Sequence, residues 1–237
     1  MTNTPNKTNA PERYVKALDS ADPLHVLRKT PKRLRKLLKH AKGRELSWKA
    51  DPATWSVHEV IGHLADNEFV FGARVRFVAA EDRPLLPAYD EKRFMANLGI
   101  DRSSLEDLFD VWVAARAANV HLLDRLPENA WSRIGVHAER GELSLLQIVL
   151  GGAGHDRVHE EQIERTIARA RVARSEAKEL ERAAEKAAKA VKSAQKKSES
   201  AALKSSKDDS TAKKDAQPEA RKKSKESRKL AKAGAPG

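Results

Sequence analysis

Ser56-Val-His-Glu-Val-Ile-Gly-His63-Leu-Ala-Asp-Asn-Glu68-Phe-Val-Phe71 is the most informative stretch of this 237-residue chain. Ser56 and Glu59 are spaced as a capping box, in which hydroxyl and carboxylate each satisfy a backbone amide at a helix start. Behind it Val60, Leu64, Phe71, Val75 and Val78 recur at helical intervals, which predicts an amphipathic helix to about Ala80. The same reading extends outward. Asp22-Pro23 and Thr30-Pro31 are both N-cap signals with proline at the first helical position, so a broken helix restarting at Pro31 is predicted over about 11–42. Ser103-Ser-Leu-Glu106 opens a helix that ends near Pro127, and Ser144-Leu-Leu-Gln147 opens another that runs into the 170s. No stretch alternates with period two long enough to predict a strand. Four long helices with polar loops imply an all-α four-helix bundle.

Composition divides the chain near residue 175. Every His, Phe, Tyr and Trp lies before it, whereas 175–237 holds 18 Lys/Arg against 10 Asp/Glu, +8 of the total +12. Three segments are expected: a flexible N-terminus over 1–19, a bundle over 20–174, and a tail over 175–237. Ala177–Lys197 has the composition to prolong the last helix. Beyond it Lys, Ser and Ala dominate, and such a disordered basic tail cannot bury enough apolar surface to offset its ordering entropy. Its charge suits non-specific contact with nucleic-acid phosphates, or simply solvation, and without aromatic residues it offers no base stacking. No apolar run reaches the roughly 18–20 residues of a membrane span, and the first ten residues have no apolar signal core. The absence of cysteine rules out disulfides and thiolate ligands and agrees with a cytoplasmic protein.

Histidines carry the chemistry. His63 lies on the apolar stripe with Val60, Leu64, Asn67 and Phe71, where a polar ring needs a partner. In Gly152-Ala-Gly-His155-Asp-Arg-Val-His159-Glu-Glu-Gln162 two histidines four apart stack on one helix face, the spacing by which one helix gives two nitrogens to a metal. Taken singly, each is as well explained as a structural core histidine. Together, three imidazoles from two inward stripes suit a three-ligand site with one position open. Neutral imidazole binds Zn, Ni or Fe(II), so the ligands leave the metal undecided. Asn67 and Glu68, one turn from His63, and Gln162, three residues after His159, are candidates to orient ligands or line the pocket. Arg74 is a candidate for an anionic substrate group. His137, in the approach to the last helix, fits the pocket mouth rather than the ligand set. His25, His40, His58 and His121 show no partner pattern. In His155-Asp-x-x-His159 the Asp156 carboxylate occupies the place of a zincin base, but no third ligand follows at zincin spacing.

Trp55-Ser-Val-His-Glu-Val-Ile-Gly-His63-Leu-Ala-Asp-Asn-Glu68, Phe71-Gly-Ala-Arg74-Val-Arg76, Pro84-Leu-Leu-Pro-Ala-Tyr-Asp90, Gly135-Val-His137-Ala-Glu-Arg-Gly141 and His155-Asp-Arg-Val-His159-Glu-Glu-Gln162 resemble, in order and spacing, the motifs of the DinB/YfiT-like superfamily over about 20–170. The resemblance implies a four-helix bundle holding a divalent metal on His63, His155 and His159. It implies small-molecule chemistry of the thiol S-transferase or hydrolase type, the nucleophile being metal-bound water or thiol rather than a side chain. It also implies a low-molecular-weight thiol as co-substrate and a homodimer as a common assembly. The alternative expectation is a non-catalytic, stress-related binding module.

Overall fold

The computed structural model describes residues 12–215, with side chains to residue 202. Helices α1 (Glu12–Leu18), α2 (Pro23–Lys39), α3 (Gly43–Leu46) and α4 (Val57–Ala80) are followed by strand β1 (Leu85–Leu86), α5 (Glu91–Asn97) and α6 (Leu105–Asp124). A hairpin of β2 (Ile134–His137) and β3 (Gly141–Ser144) leads into α7 (Leu145–Asp215). The chain divides into two units, Met1–Arg174 and Ser175–Gly237. In the first, α2, α4, α6 and the start of α7 form the expected bundle. Among the described residues no helix is long and apolar enough to cross a membrane.

The capping signals mostly act as read. Ser56 Oγ accepts the Glu59 amide at 3.2 Å while Glu59 Oε2 accepts the Ser56 amide at 2.7 Å. Ser144 and Gln147 exchange the same pair of bonds at 3.1 and 2.9 Å. The third signal is displaced by one residue: Ser104, not Ser103, caps α6 and accepts from Asp107 at 3.1 Å.

Four expectations are corrected. The helix predicted over 11–42 breaks at Asp19 and Ser20, which take left-handed backbone angles, and passes through Pro31 without restarting. A proline inside a helix removes the donor to the carbonyl four residues back. That carbonyl, Leu27 O, accepts instead from Arg116 Nη1 at 3.1 Å, so the buried arginine repairs what Pro31 leaves open. The flexible N-terminus predicted over 1–19 fails for Glu12–Leu18, a helix that buries Tyr14 and Leu18; residues 1–11 lie outside the described residues. The chain also forms a three-stranded sheet, β1 parallel and β3 antiparallel to β2. Its strands of two to four residues are too short to register as alternation. Finally, α7 continues past Lys197 to Asp215; the rest of the expected disordered tail, 216–237, lies outside the described residues.

The core is interrupted. One apolar cluster joins Leu27, Phe71, Val75, Leu123, Val149 and Ala153, and another joins Leu34, Ile61, Leu64, Phe109, Trp112 and Ile163. Between them along α4, α6 and α7 lie the buried polar residues Glu68, Arg116, Asn119 and Asp156, and His63, His155 and His159 are buried as well. A buried polar layer persists only if its members satisfy one another.

Candidate metal centre

α4 brings His63 and α7 brings His155 and His159 to one point. His63 Nε2 and His155 Nε2 are 2.9 Å apart, and His159 Nε2 lies 3.1 Å from His155 Nε2. One ring nitrogen from each lies within 4.8 Å of the others, and all three residues are buried. The helix permits this because its neighbours are small. A Cβ at Gly152 would meet the Phe71 ring at 2.8 Å, and one at Gly154 would collide with the Tyr14 carbonyl. Those glycines let α4 and α1 approach the turn that carries His155, which accounts for residues that otherwise weaken a helix.

The rings are held neutral. Burial, then repulsion from His159, pushes His63 down to about 3. Burial pushes His159 down to about 4, against the opposing hydrogen bond from Gln162. His155, buried and facing both other rings, falls well below the ordinary 6.5, first through burial and then through His159 and His63. A single proton on His155 Nε2 cannot serve both of its neighbours, and His155 Nδ1 is buried with no partner among the described residues. Three neutral, dry imidazoles with converging lone pairs are a donor set that fits a divalent cation.

The expected supporting residues separate by role. Gln162 Oε1 lies 2.8 Å from His159 Nδ1 and fixes that ring. Asn67 accepts from the Tyr89 hydroxyl at 2.9 Å, at the cavity wall. Arg74 donates to Pro87 O at 2.7 Å and lines the same cavity. Glu68 turns away from the histidines: Oε2 accepts Arg116 Nη2 at 2.7 Å and Oε1 accepts Asn119 Nδ2 at 2.8 Å. Asp156 likewise faces Arg116, accepting from Nη2 at 2.9 Å and from Nη1, which sets aside any zincin-like role as base. Burial alone would lower the Arg116 pKa; Asp156 and Glu68 outweigh it and hold it above its ordinary value.

Four participants escaped the sequence reading. Arg116 and Asn119 stand on the α6 stripe between Trp112 and Leu123, at the spacing that marked His63 as unusual, and the same argument would have found them. Glu91, in the first turn of α5, places Oε2 3.8 Å from His63 Nε2. Tyr14 packs edge-on against the His155 ring, centroids 5.4 Å apart, and only the fold brings it there. His155 forms part of the wall of a cavity of about 350 Å³ that Tyr14, Tyr89, Glu91 and His137 also line.

The sequence pattern of the DinB superfamily matches residues 27–163. No curated protein gives a match. Among solved structures, YfiT from Bacillus subtilis, described as a probable metal-dependent hydrolase with an unusual four-helix bundle topology, is similar with a TM-score of 0.54 and 19% identity, covering 69% of this chain and 92% of that one. The mycothiol-dependent maleylpyruvate isomerase is similar with a TM-score of 0.50 and 14% identity, covering 60% of this chain and 59% of that one. At such identities the likeness is one of fold. With more than half of its length matched by the family pattern and its bundle shared with YfiT, this chain belongs to the DinB superfamily.

Proposed function

We propose that the chain is a divalent-metal-dependent enzyme acting on a small molecule, by thiol S-transfer or hydrolysis. One observation carries the reading: three neutral imidazoles converge beside a cavity of the size that holds small ligands. His63, His155 and His159 would hold a divalent cation, which would supply Lewis acidity to lower the pKa of water or of an incoming thiol. The chain's own groups do the rest. Gln162 orients the His159 ring, Tyr14 packs edge-on against His155 at the cavity wall, and Glu91 is near enough to His63 to take up a proton at the cavity edge. The description of YfiT as a probable metal-dependent hydrolase supports the hydrolase reading, and the isomerase's dependence on mycothiol supports a low-molecular-weight thiol as co-substrate. Protein reconstituted with zinc, nickel or iron(II) is expected to turn over one member of a panel of thiol acceptors or hydrolysable esters and amides, and to lose that turnover on chelation. Turnover unchanged by chelation, or none with any metal, would support the binding-module alternative instead.

For the tail a second reading has its own observation. Lys178, Arg182, Lys189, Lys192 and Lys196 share one face of α7 by spacing, and all are exposed. We propose that this face binds nucleic-acid phosphates without sequence preference. Replacing the five by glutamine in the full chain is expected to weaken duplex DNA binding at least tenfold and flatten its salt dependence. Equal binding by that variant contradicts the reading.

A further inference from the structure

The cavity beside the histidines has a second pole. Arg74 enters from α4, His137 from the end of β2, and Arg140 from the turn before β3; all three line the cavity, as does His155. Gly141 adopts the left-handed φ of 71° that lets this turn close. His137 is buried, and its Nδ1 accepts the Glu139 amide at 3.2 Å, so in the neutral ring the proton sits on Nε2. Arg74 spends one Nη2 bond on Pro87 O, while its Nε is buried with no partner among the described residues. Neither Arg74 nor Arg140 has a carboxylate within ion-pair distance among the described residues, although other arginines of the body do.

The three groups repel one another. After burial, Arg140 is the strongest influence lowering Arg74, ahead of the opposing pull of Glu139. Burial, then Arg74 and Arg140, lowers His137, again ahead of Glu139. Of the other acids lining the cavity, Asp90 accepts the Lys92 and Arg93 amides at the start of α5, and Glu91 lies beside His63. Cationic donors gathered in a cavity with an unused buried N–H are complementary to an oxyanion.

We propose that Arg74, His137 and Arg140 form a subsite for a carboxylate of the substrate, making that substrate a small organic acid whose reacting group lies toward His155. The inference rests on the reading of this cavity as the substrate site. A carboxylate fits better than a phosphate, because Asp90, Glu91 and Glu139 around the same cavity oppose two negative charges concentrated on one group.

The test titrates the full chain with succinate, neutral succinamide and inorganic phosphate, by calorimetry and thermal melting, before and after chelation, with metal content measured on the same samples. Succinate is expected to bind saturably and raise Tm, and succinamide to do neither. Arg74→Gln and Arg140→Gln are each expected to weaken succinate at least tenfold, whereas Arg125→Gln, an exposed residue past the end of α6, leaves it unchanged. Arg140 is exposed in a turn, so its variant decides the matter even if Arg74→Gln fails to fold. Equal binding of succinate and succinamide, wild-type affinity in Arg140→Gln, or tighter binding of phosphate than of succinate would each overturn the proposal. Failure to load metal would count against the enzyme reading alone, since the chelated samples still report on the subsite.

Discussion

Replacing His63 or His159 by alanine is expected to reduce bound zinc or nickel from about one ion per chain to near none. Each residue is one of three nitrogens on a single point, and two imidazoles leave an ion half solvated inside a dry pocket. The wild-type protein should also melt higher with metal, by an amount corresponding to about 2.7 kcal/mol at a hundredfold excess over Kd, and the alanine variants should not. Metal content by mass spectrometry and paired melting curves check both. Retention of metal by His63→Ala would remove the convergence of α4 and α7 as the basis of the site.

The same rings make a prediction for the metal-free protein. The folded values, about 3 for His63 and about 4 for His159, lie below the ordinary 6.5, so the unfolded chain binds the extra protons at intermediate pH. Stability is therefore full above 6.5 and declines as pH falls from there toward 3 to 4. Each histidine adds about 1.4 kcal/mol per pH unit to that slope. His63→Ala should flatten the decline by one histidine's share, which urea melts at pH 7.5 and pH 5.5 would measure.

Arg116→Met is expected to be the most destabilising single change in the body, by about 3–5 kcal/mol. All four carboxylate oxygens of Glu68 and Asp156 accept a hydrogen bond in the folded state, three of them from Arg116. Methionine fills much of the volume but leaves two buried acids without their cation, and also strands the Leu27 carbonyl that Pro31 cannot serve. For a body of this size the loss corresponds to about 10 °C in Tm. Arg116→Lys should recover only part of it, since a lysine cannot span both acids. The triple change Arg116→Met, Glu68→Gln, Asp156→Asn should be milder than Arg116→Met alone. A single-variant melt within about 1 kcal/mol of wild type would mean that the layer contributes nothing net.

The bundle and the three histidines were legible for the same reason. Helical periodicity puts Val60, His63 and Leu64 on one face and His155 and His159 on another, and capping residues mark where each helix starts. Gln162 followed from its one-turn distance to His159. Local patterns could not show which stripes face each other across the core. Arg116 stands out on the apolar stripe of α6, but its partners stay hidden until Glu68 and Asp156 arrive from α4 and α7. Thr30-Pro31 reads as a helix start because its remedy, a guanidinium from α6, lies 85 residues or more away along the chain. The hairpin carrying His137 and Arg140 escaped because strands of four residues leave no statistical trace.

Helix α1 has seven residues, too few to persist alone in water, so its order depends on Tyr14 and Leu18 being seated on the body. Yet Tyr14 is the ring that shields one side of His155. Part of the burial of His155 is thus supplied by a short helix outside the four of the bundle. Were α1 to undock, the His155 ring would meet water, and its basicity would return toward that of free imidazole.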